Sequence, residues 1–108
     1  MKEEFITIEN ESKIYQIKED DILSVSVDSK IVTFELEDNR KISKYSSLCK
    51  IIEEFPKLTR IDKNCAVNSD KIIEIMKKEN IAILSNKKKY HVSRRNIYKF
   101  RSWRKNDR

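Results

Sequence analysis

Apolar residues recur at every second position in short runs along this chain, and each run ends at a polar turn sequence. Residues 22–28 (ILSVSVD) alternate cleanly, with Leu23, Val25 and Val27 expected on one face, and residues 30–37 (KIVTFELE) continue the pattern. Period-two alternation puts successive side chains on opposite faces of a strand, so it predicts half-buried strands joined as antiparallel hairpins. Further strands are predicted at residues 5–8, 14–17, 41–45, 58–61, 64–67, 72–77, 80–84 and 88–93.

The period changes to that of a helix at two places. Apolar residues at i, i+3, i+4 and i+7 within residues 46–55 (SSLCKIIEEF) predict one amphipathic helix, which Pro56 ends. The tail from Asn96 to Trp103 has the spacing of a short C-terminal helix. The sequence therefore predicts a mainly β fold of several small antiparallel sheets, with one internal short helix and a C-terminal helix.

The chain contains no glycine. This excludes phosphate-binding loops such as GxGxxG, in which the backbone must approach the ligand without a side chain. Turns that need a positive φ must use Asn or Asp instead. Candidates stand at Asp38-Asn39, Asn68, Asn80 and Asn86.

Basic and acidic residues are divided unevenly along the chain. Residues 1–54 contain 8 Lys and Arg against 13 Asp and Glu, a net charge of −5, whereas residues 55–108 contain 16 against 5, a net charge of +11. Solubility alone does not require this asymmetry, but docking of a polyanion on one face does. No apolar run approaches the roughly 20 residues that cross a bilayer, and the acidic N-terminus lacks a signal-peptide core, so we expect a cytoplasmic location and no membrane contact.

No catalytic or metal-binding constellation is visible in the sequence. His91 is the only histidine, and acidic pairs such as Asp20-Asp21 are adjacent, so their side chains point apart. We therefore expect no enzyme activity, cofactor, metal or small-molecule substrate, although a pocket of clustered titratable residues would revive a small enzyme as an alternative. Cys49 and Cys65 stand among apolar residues and are predicted to be free thiols buried in the core.

Two predicted loops carry side chains suited to nucleic acids. Lys63 and Asn64 interrupt one strand run, and Ser93, Arg94 and Arg95 stand at a predicted strand-to-helix junction. Arg and Asn can read guanine and adenine edges, whereas Ser and a helix N-terminus bind phosphate. A basic run is also typical of a solvated face, and the aromatic residues of the tail fit core packing better than base stacking, so both interpretations remain open here.

A longer motif spans the basic half of the chain. An Arg-Ile strand, a Val-Asn segment and a Val-Ser-Arg-Arg segment after a hairpin are carried by Leu58, Arg60, Ile61, Lys63, Val67, Asn68, Ile72, Val92, Ser93, Arg94 and Arg95. This pattern resembles the LytTR-type DNA-binding domain of bacterial transcription regulators. Since the upstream helix and strands also fit, the resemblance covers about residues 5–103, and we expect a single domain over residues 1–108.

The resemblance implies a fold in which loops, not a recognition helix, enter neighbouring major grooves of DNA. Base contacts are implied for Lys30 in the loop between two early strands, for Lys63, and for Arg95 with Arg94 close by. Phosphate contacts are implied for the neighbouring residues Ser29, Ser46, Ser47, Asn64, Ser93, Asn96 and Lys99.

The second loop departs from the family pattern. Asp62, Lys63 and Asn64 stand where family members usually carry His, Arg and Ser, so the DNA sequence read does not follow from the resemblance. We interpret the chain as a sequence-specific binder of double-stranded DNA in transcription regulation, with a second copy on repeated half-sites as a further candidate partner. The alternative is a small basic β module that binds RNA or a protein. Residues 87–89 either add phosphate contacts or form a solvated turn away from DNA.

Overall fold

The computed structural model describes residues 5–100, and within them strands predominate. Helix α1 covers Leu48–Glu54, and α2 covers Arg94–Ile97 and continues as a 3-10 turn, Tyr98–Phe100. The strands are β1 Phe5–Glu9, β2 Ile14–Lys18, β3 Ile22–Asp28, β4 Ile31–Leu36, β5 Lys41–Tyr45, β6 Leu58–Asp62, β7 Cys65–Asn68, β8 Ile72–Met76, β9 Ile81–Leu84 and β10 Lys89–His91.

The strands form three antiparallel sheets. β1 and β2 make a hairpin, β5-β4-β3-β7-β6 form a central five-stranded sheet, and β10-β9-β8 form a third. Every pairing is between antiparallel neighbours. The predicted fold, mainly β with small antiparallel sheets and short helices, is therefore confirmed.

One face of the central sheet is covered by the β1–β2 hairpin and α1. Ile8 of the hairpin and Leu48 of α1 belong to a first core cluster with residues of β3 and β4. The rings of Phe34 and Phe55 meet edge to face with centroids 5.8 Å apart, an arrangement that contributes about 0.5–1.5 kcal/mol beyond burial alone. Packing in the first core cluster therefore holds α1 against this face of the sheet.

The opposite face of the central sheet is covered by the third sheet and by the C-terminal residues. Leu84 of β9 and Phe100 pack there against Ile61 in a second core cluster. Adjacent residues of β7, Ala66 and Val67, are both fully buried yet belong to different clusters. β7 is therefore buried on both faces, and the central sheet is the rigid layer of the molecule.

A β-bulge corrects one feature of the predicted alternation. The β3–β4 register passes from Ile22 to Ser24 and leaves Leu23 as an extra residue. Ile22 and Val25 consequently face the first cluster, whereas Leu23 packs in the second. The prediction that Leu23, Val25 and Val27 share one face is wrong for Leu23, because a bulge shifts the alternation by one residue.

Two of the predicted Asn turns have the expected positive φ, Asn39 at 73° and Asn80 at 59°. Ser29 at 62° and Lys87 at 70° adopt it as well, although the sequence did not single them out. Ser29 is the first residue of the two-residue turn between β3 and β4, and a positive φ there but not at Lys30 indicates a type II′ turn.

Asn68 and Asn86 act through their side chains instead, so the positive φ expected for them is wrong. Asn68 has a φ of −75°, and its Oδ1 accepts the N–H of Asp70 while its Nδ2 donates to the carbonyl of Ile22. The Oδ1 of Asn86 accepts the N–H of Lys88. Such side-chain turns replace the backbone hydrogen bond that a tight turn would otherwise supply.

The two cysteines are free, but they are not both in the core. Cys49 is exposed, so its predicted burial is wrong: it lies about 100° around α1 from the buried Leu48. Cys65 is partly buried, and burial, aided by the charges of Asp62 and Glu35, raises the pKa of its thiol to about 11.

The predicted C-terminal helix begins at Arg94, two residues earlier than expected. Phe100 is buried as predicted, whereas Tyr98 is 61% exposed, so core packing is wrong for that ring. The position of Trp103 in the predicted helix lies outside the described residues.

Candidate nucleic-acid interface

The register of the central sheet brings three connections to the same end. Asp28 pairs with Ile31 and Ile31 pairs with Tyr45, so the β3–β4 turn lies beside the start of α1. Ser26 pairs with Cys65, which places the β6–β7 loop beside that turn. We refer to residues 28–31, 45–47, 62–65 and 93–96 as the loop end.

Backbone hydrogen bonds join the segments of the loop end. Ser46 donates its N–H to the carbonyl of Lys30 at 3.0 Å, which links the α1 start to the β3–β4 turn. Val27 donates to the carbonyl of Asn64 at 2.9 Å, and Ser93 donates to the carbonyl of Ile61 at 2.8 Å. Because these bonds use main-chain atoms, they position the loops without occupying the side chains that point outward.

The β6–β7 loop is shaped by two charged side chains that bond to its backbone. The carboxylate of Asp62 accepts the N–H of Lys63 at 2.7 Å. The guanidinium of Arg60 donates through Nη1 to the carbonyl of Lys63 at 2.6 Å. Both Lys63 and Asn64 are exposed, so the loop presents their side chains to the exterior.

An open groove lies between the β6–β7 loop and the junction of β10 with α2. Ser93 lies at the N-cap, and its Oγ accepts a hydrogen bond from Nδ2 of Asn96 at 2.8 Å. Asn96 is 7% exposed, whereas Arg94 and Arg95 are exposed. The groove brings together residues of both loops and is lined by Arg60, Asp62, Lys63, Ser93, Arg95 and Asn96.

The remaining predicted contacts lie on the same end or beside it. Ser29 and Lys30 are exposed in the β3–β4 turn, and Ser46 is half-buried. Ser47 is exposed and caps α1, since its Oγ accepts the N–H of Lys50 at 3.3 Å. All eleven side chains proposed from the sequence are thus on or next to one end of the sheet, although they differ in how free they are.

Lys99 is exposed, but its ammonium is held by a backbone contact. Its ammonium donates to the carbonyl of Arg60 at 3.2 Å. Partial burial, together with the nearby charge of Arg60, lowers the pKa of Lys99 below its ordinary value. The bond also holds the C-terminal segment against β6.

The exposed cations of the loop end differ in their ion pairing from several cations elsewhere in the molecule. Lys57 pairs with Asp20 at 2.5 Å, and Lys71 pairs with Glu37 at 2.6 Å. Hydrogen bonding to Asp20 raises the pKa of Lys57. Within residues 5–100, no ion pair involves the exposed cations of the loop end, which are Lys30, Lys63, Arg94 and Arg95.

The basic turn at residues 87–89 lies at the opposite end of the molecule. Ser85 donates its N–H to the carbonyl of Lys71, beside the Lys71–Glu37 ion pair. Lys88 pairs with Glu35 at 2.5 Å, and the hydrogen bond to this carboxylate raises the pKa of Lys88. The division of charge between chain halves is therefore not a division in space, because acids of the first half neutralise several cations of the second.

Arg60 is a residue whose role the sequence did not reveal. It appeared only as a member of the motif, and its guanidinium bonds to the Lys63 carbonyl across the bend of the β6–β7 loop. The register shift between Arg60 and Asp62 is the local cause of that bend. In the sequence, only the spacing Arg-x-Asp-Lys at residues 60–63 could have indicated this role of Arg60.

Comparison with known proteins identifies the family of the chain. A model of the LytTr DNA-binding domain family matches residues 12–105. The chain belongs to the LytTr DNA-binding domain family. A solved LytTr DNA-binding domain, from a response regulator of Bacillus cereus, superposes on it with a TM-score of 0.77 at 17% identity, covering 94% of this chain and 96% of that one. No curated protein sequence matches the chain.

Membership of the LytTr family gives the chain its general role, which is DNA binding in transcription regulation. The structural likeness extends over nearly the whole of both chains and confirms the LytTr fold. In the described part of the chain, no group of three or more His, Cys, Asp or Glu residues could hold a metal ion. Nor is any helix between residues 5 and 100 both long and apolar enough to span a membrane.

Proposed function

We propose that this LytTr domain binds double-stranded DNA sequence-specifically through the side chains of the loop end. The observation that carries the proposal is the meeting of exposed Lys63 and Arg95 in one groove. Exposed cations on short loops of a rigid sheet can reach both phosphates and base edges. Since no carboxylate within residues 5–100 pairs with either cation, their charge is available to DNA.

Base readout is assigned to three side chains, with Arg94 close by. Arg95 lines the groove and can fork onto the O6 and N7 of guanine, and Lys63 can donate to the same edge from the facing loop. Lys30, exposed in the β3–β4 turn at the same end of the sheet, is assigned the third base contact. Arg94 is exposed but does not line the groove, so we assign it to the flank of the site.

Phosphate contacts complete the interface. The Oγ of Ser93 accepts a bond from Asn96, which leaves its own hydrogen free to donate to a phosphate oxygen. In this arrangement Asn96 acts by orienting Ser93. The other phosphate contacts are assigned to side chains around the groove and the α1 start, namely Ser29, Ser46, Ser47, Asn64 and Lys99.

The loops that carry Lys30 and Lys63 lie close together. Strands are spaced about 4.8 Å apart, so the β3–β4 turn and the β6–β7 loop are centred two spacings, or roughly 10 Å, apart. This separation is similar to the width of a major groove, about 12 Å. The proposal that loops enter neighbouring major grooves follows from the family resemblance and not from this spacing.

A basic module for RNA or a protein is the alternative. The major groove of A-form RNA is deep and narrow, and short loops of this kind do not reach its base edges. The proposal therefore predicts a preference for duplex DNA over structured RNA. The proposal also treats residues 1–108 as one domain. Whether a second copy binds to repeated half-sites is decided by the test below.

Binding-site selection from random duplex DNA tests the proposal. The unmutated chain is expected to enrich one sequence, and structured RNA at equal concentration is expected not to compete for it. A spacing of two enriched half-sites by about one helical turn would indicate two copies. Enrichment of no sequence, or efficient competition by RNA, would contradict sequence-specific DNA binding.

A further inference from the structure

The Arg60 side chain lines the same groove as Lys63 and Arg95, but its guanidinium bonds to the protein itself. Its Nη1 donates to the carbonyl of Lys63 at 2.6 Å and lies 3.5 Å from the carbonyl of Asp62. Its Nη2 lies 3.5 Å from the Sγ of Cys49 in α1. The guanidinium is thus directed at the backbone of one loop and at the helix beside it.

Several contacts hold the β6–β7 loop, and this side chain supplies one of them. The β6–β7 register shifts between Arg60 and Asp62 and resumes at the Asp62–Cys65 pair that closes the turn. Within the turn, the Asp62 carboxylate accepts the Lys63 N–H and the Asn64 carbonyl accepts the Val27 N–H. Lys63 has its N–H and its carbonyl both held by charged side chains, and only its own side chain is left to point outward.

We infer that Arg60 is the positioning residue for DNA readout in the β6–β7 loop: it fixes the backbone of Lys63, and through it the direction of the Lys63 ammonium. This inference rests on the proposed function and deepens it. A hydrogen bond from a charged donor is worth more than a neutral one, and it restricts the loop before DNA arrives. A loop fixed in advance loses less conformational entropy on binding.

The position of Arg60 also couples the two walls of the groove. Its carbonyl accepts the ammonium of Lys99, and the next residue, Ile61, accepts the N–H of Ser93. Arg60 therefore stands between the loop of Lys63 and the helix that carries Arg95. Removal of its guanidinium is expected to release the backbone of Lys63 and to leave the Ile61–Ser93 bond in place.

The test compares Arg60→Ala and Arg60→Lys with Lys63→Ala on two probes, the duplex selected by the unmutated chain and a random-sequence duplex of equal length. Both Arg60 variants are expected to lose about tenfold or more on the selected duplex and little on the random one. Arg60→Lys keeps the charge but not the planar fork, so it is expected to behave like Arg60→Ala. Adding Lys63→Ala to either Arg60 variant should cost little more, because the two residues act as one unit.

Hydrogen exchange gives a readout that needs no DNA. In both Arg60 variants, the Lys63 and Val27 amides should exchange faster, while the Leu84 amide in the second core should not. Cys49→Ser serves as the matched control, since it alters the α1 contact and leaves the Lys63 contact intact.

Additive losses in the double variant, or an equal loss on both duplexes, would overturn the inference and make Arg60 a phosphate contact in its own right. Unchanged exchange at Lys63 and Val27 would overturn it as well. Failure of the unmutated chain to select any sequence would instead reject the proposed function, and the exchange data would still decide whether Arg60 holds the loop.

Discussion

The backbone N–H of Ser93 donates to the carbonyl oxygen of Ile61 at 2.8 Å, and this bond ties the start of α2 to the end of β6. Ile61 is the residue that the β6–β7 register omits, so its carbonyl is released from the ladder to accept Ser93. The loop that carries Lys63 and the helix that carries Arg95 therefore form one rigid unit. Predictions about either side chain concern a fixed geometry.

Arg95→Ala should cost about 1–3 kcal/mol on the selected duplex and much less on random DNA, because a bidentate guanine contact is lost. Arg94→Ala is the matched control, since Arg94 is exposed one residue away but does not line the groove. It should weaken both duplexes to a similar, smaller extent. Binding titrations of both variants on both duplexes check this, and the opposite pattern would transfer base readout to Arg94.

Lys63→Ala should weaken DNA binding while leaving the melting temperature nearly unchanged. The side chain is exposed, and the loop is held by Asp62 and Arg60 rather than by the Lys63 ammonium. Ile72→Ala provides the contrast: this residue is 4% exposed in the second core, so its truncation should cost roughly 2–4 kcal/mol of unfolding free energy. Thermal and denaturant unfolding measure both, and unfolding of Lys63→Ala would show that the loop assignment is wrong.

DNA affinity should fall steeply with salt. With about 4–7 basic contacts and a log–log slope of about −0.9 per contact, affinity should drop on the order of a hundredfold or more between 50 and 200 mM salt. Joint substitution of Lys87, Lys88 and Lys89 by Glu should leave this slope unchanged, because the turn lies at the opposite end beside Lys71.

The matched variant carries Glu at Lys30, Lys63 and Arg94, with the same change in net charge. It should flatten the slope and weaken binding to all sequences. A flat salt response in the unmutated chain would reject nucleic-acid binding altogether, whereas a flatter slope in the residue 87–89 variant would place DNA at that turn.

Glu35 should give the fold an acid-sensitive component. Burial opposes its ionisation, but hydrogen bonds from Lys88, Tyr90 and Ser24, with the charge of Lys88, outweigh burial and lower the pKa of its carboxyl. Because the folded pKa is below the unfolded one, this contribution is present above about pH 4.3 and is lost as pH falls through the folded pKa.

Unfolding free energy measured at neutral pH and below pH 4 checks this dependence. Glu35→Gln should lower stability at neutral pH and reduce the loss on acidification. Glu54→Gln, at the exposed end of α1, should leave both values close to those of the unmutated chain. An identical acid dependence in the Glu35 variant would assign the effect to other carboxylates.

Much of the fold could be predicted because strand alternation is a local property. The bounds of β3 and β5 agree with the predicted ones residue for residue. The bulge at Leu23 could not be predicted, because it depends on a partner strand that alternation alone does not specify. The exposure of Cys49 was missed for a related reason, since its apolar neighbours do not fix how α1 is rotated.

The candidate site could be predicted by residue type but not by contact. Lys63 and Arg95 were singled out from charge and motif, and the structure places both in one groove. The pairing of Lys88 with Glu35 joins residues 53 positions apart, and the sequence gives no signal of it. The sequence gives no signal of the Arg60 bond to the Lys63 carbonyl either, since that bond exists only after the loop bends.

Main-chain bonds from Ser46, Val27 and Ser93 hold the loop end together, and any residue other than proline could supply the same N–H groups. Under the proposed function, DNA is read by side chains that none of these three bonds uses. The interface can therefore be reprogrammed: substitutions at Lys30, Lys63 or Arg95 are expected to change the DNA sequence that is read while the scaffold stays intact. Drift toward new target genes would then require only single codon changes, in two short loops and at the start of α2.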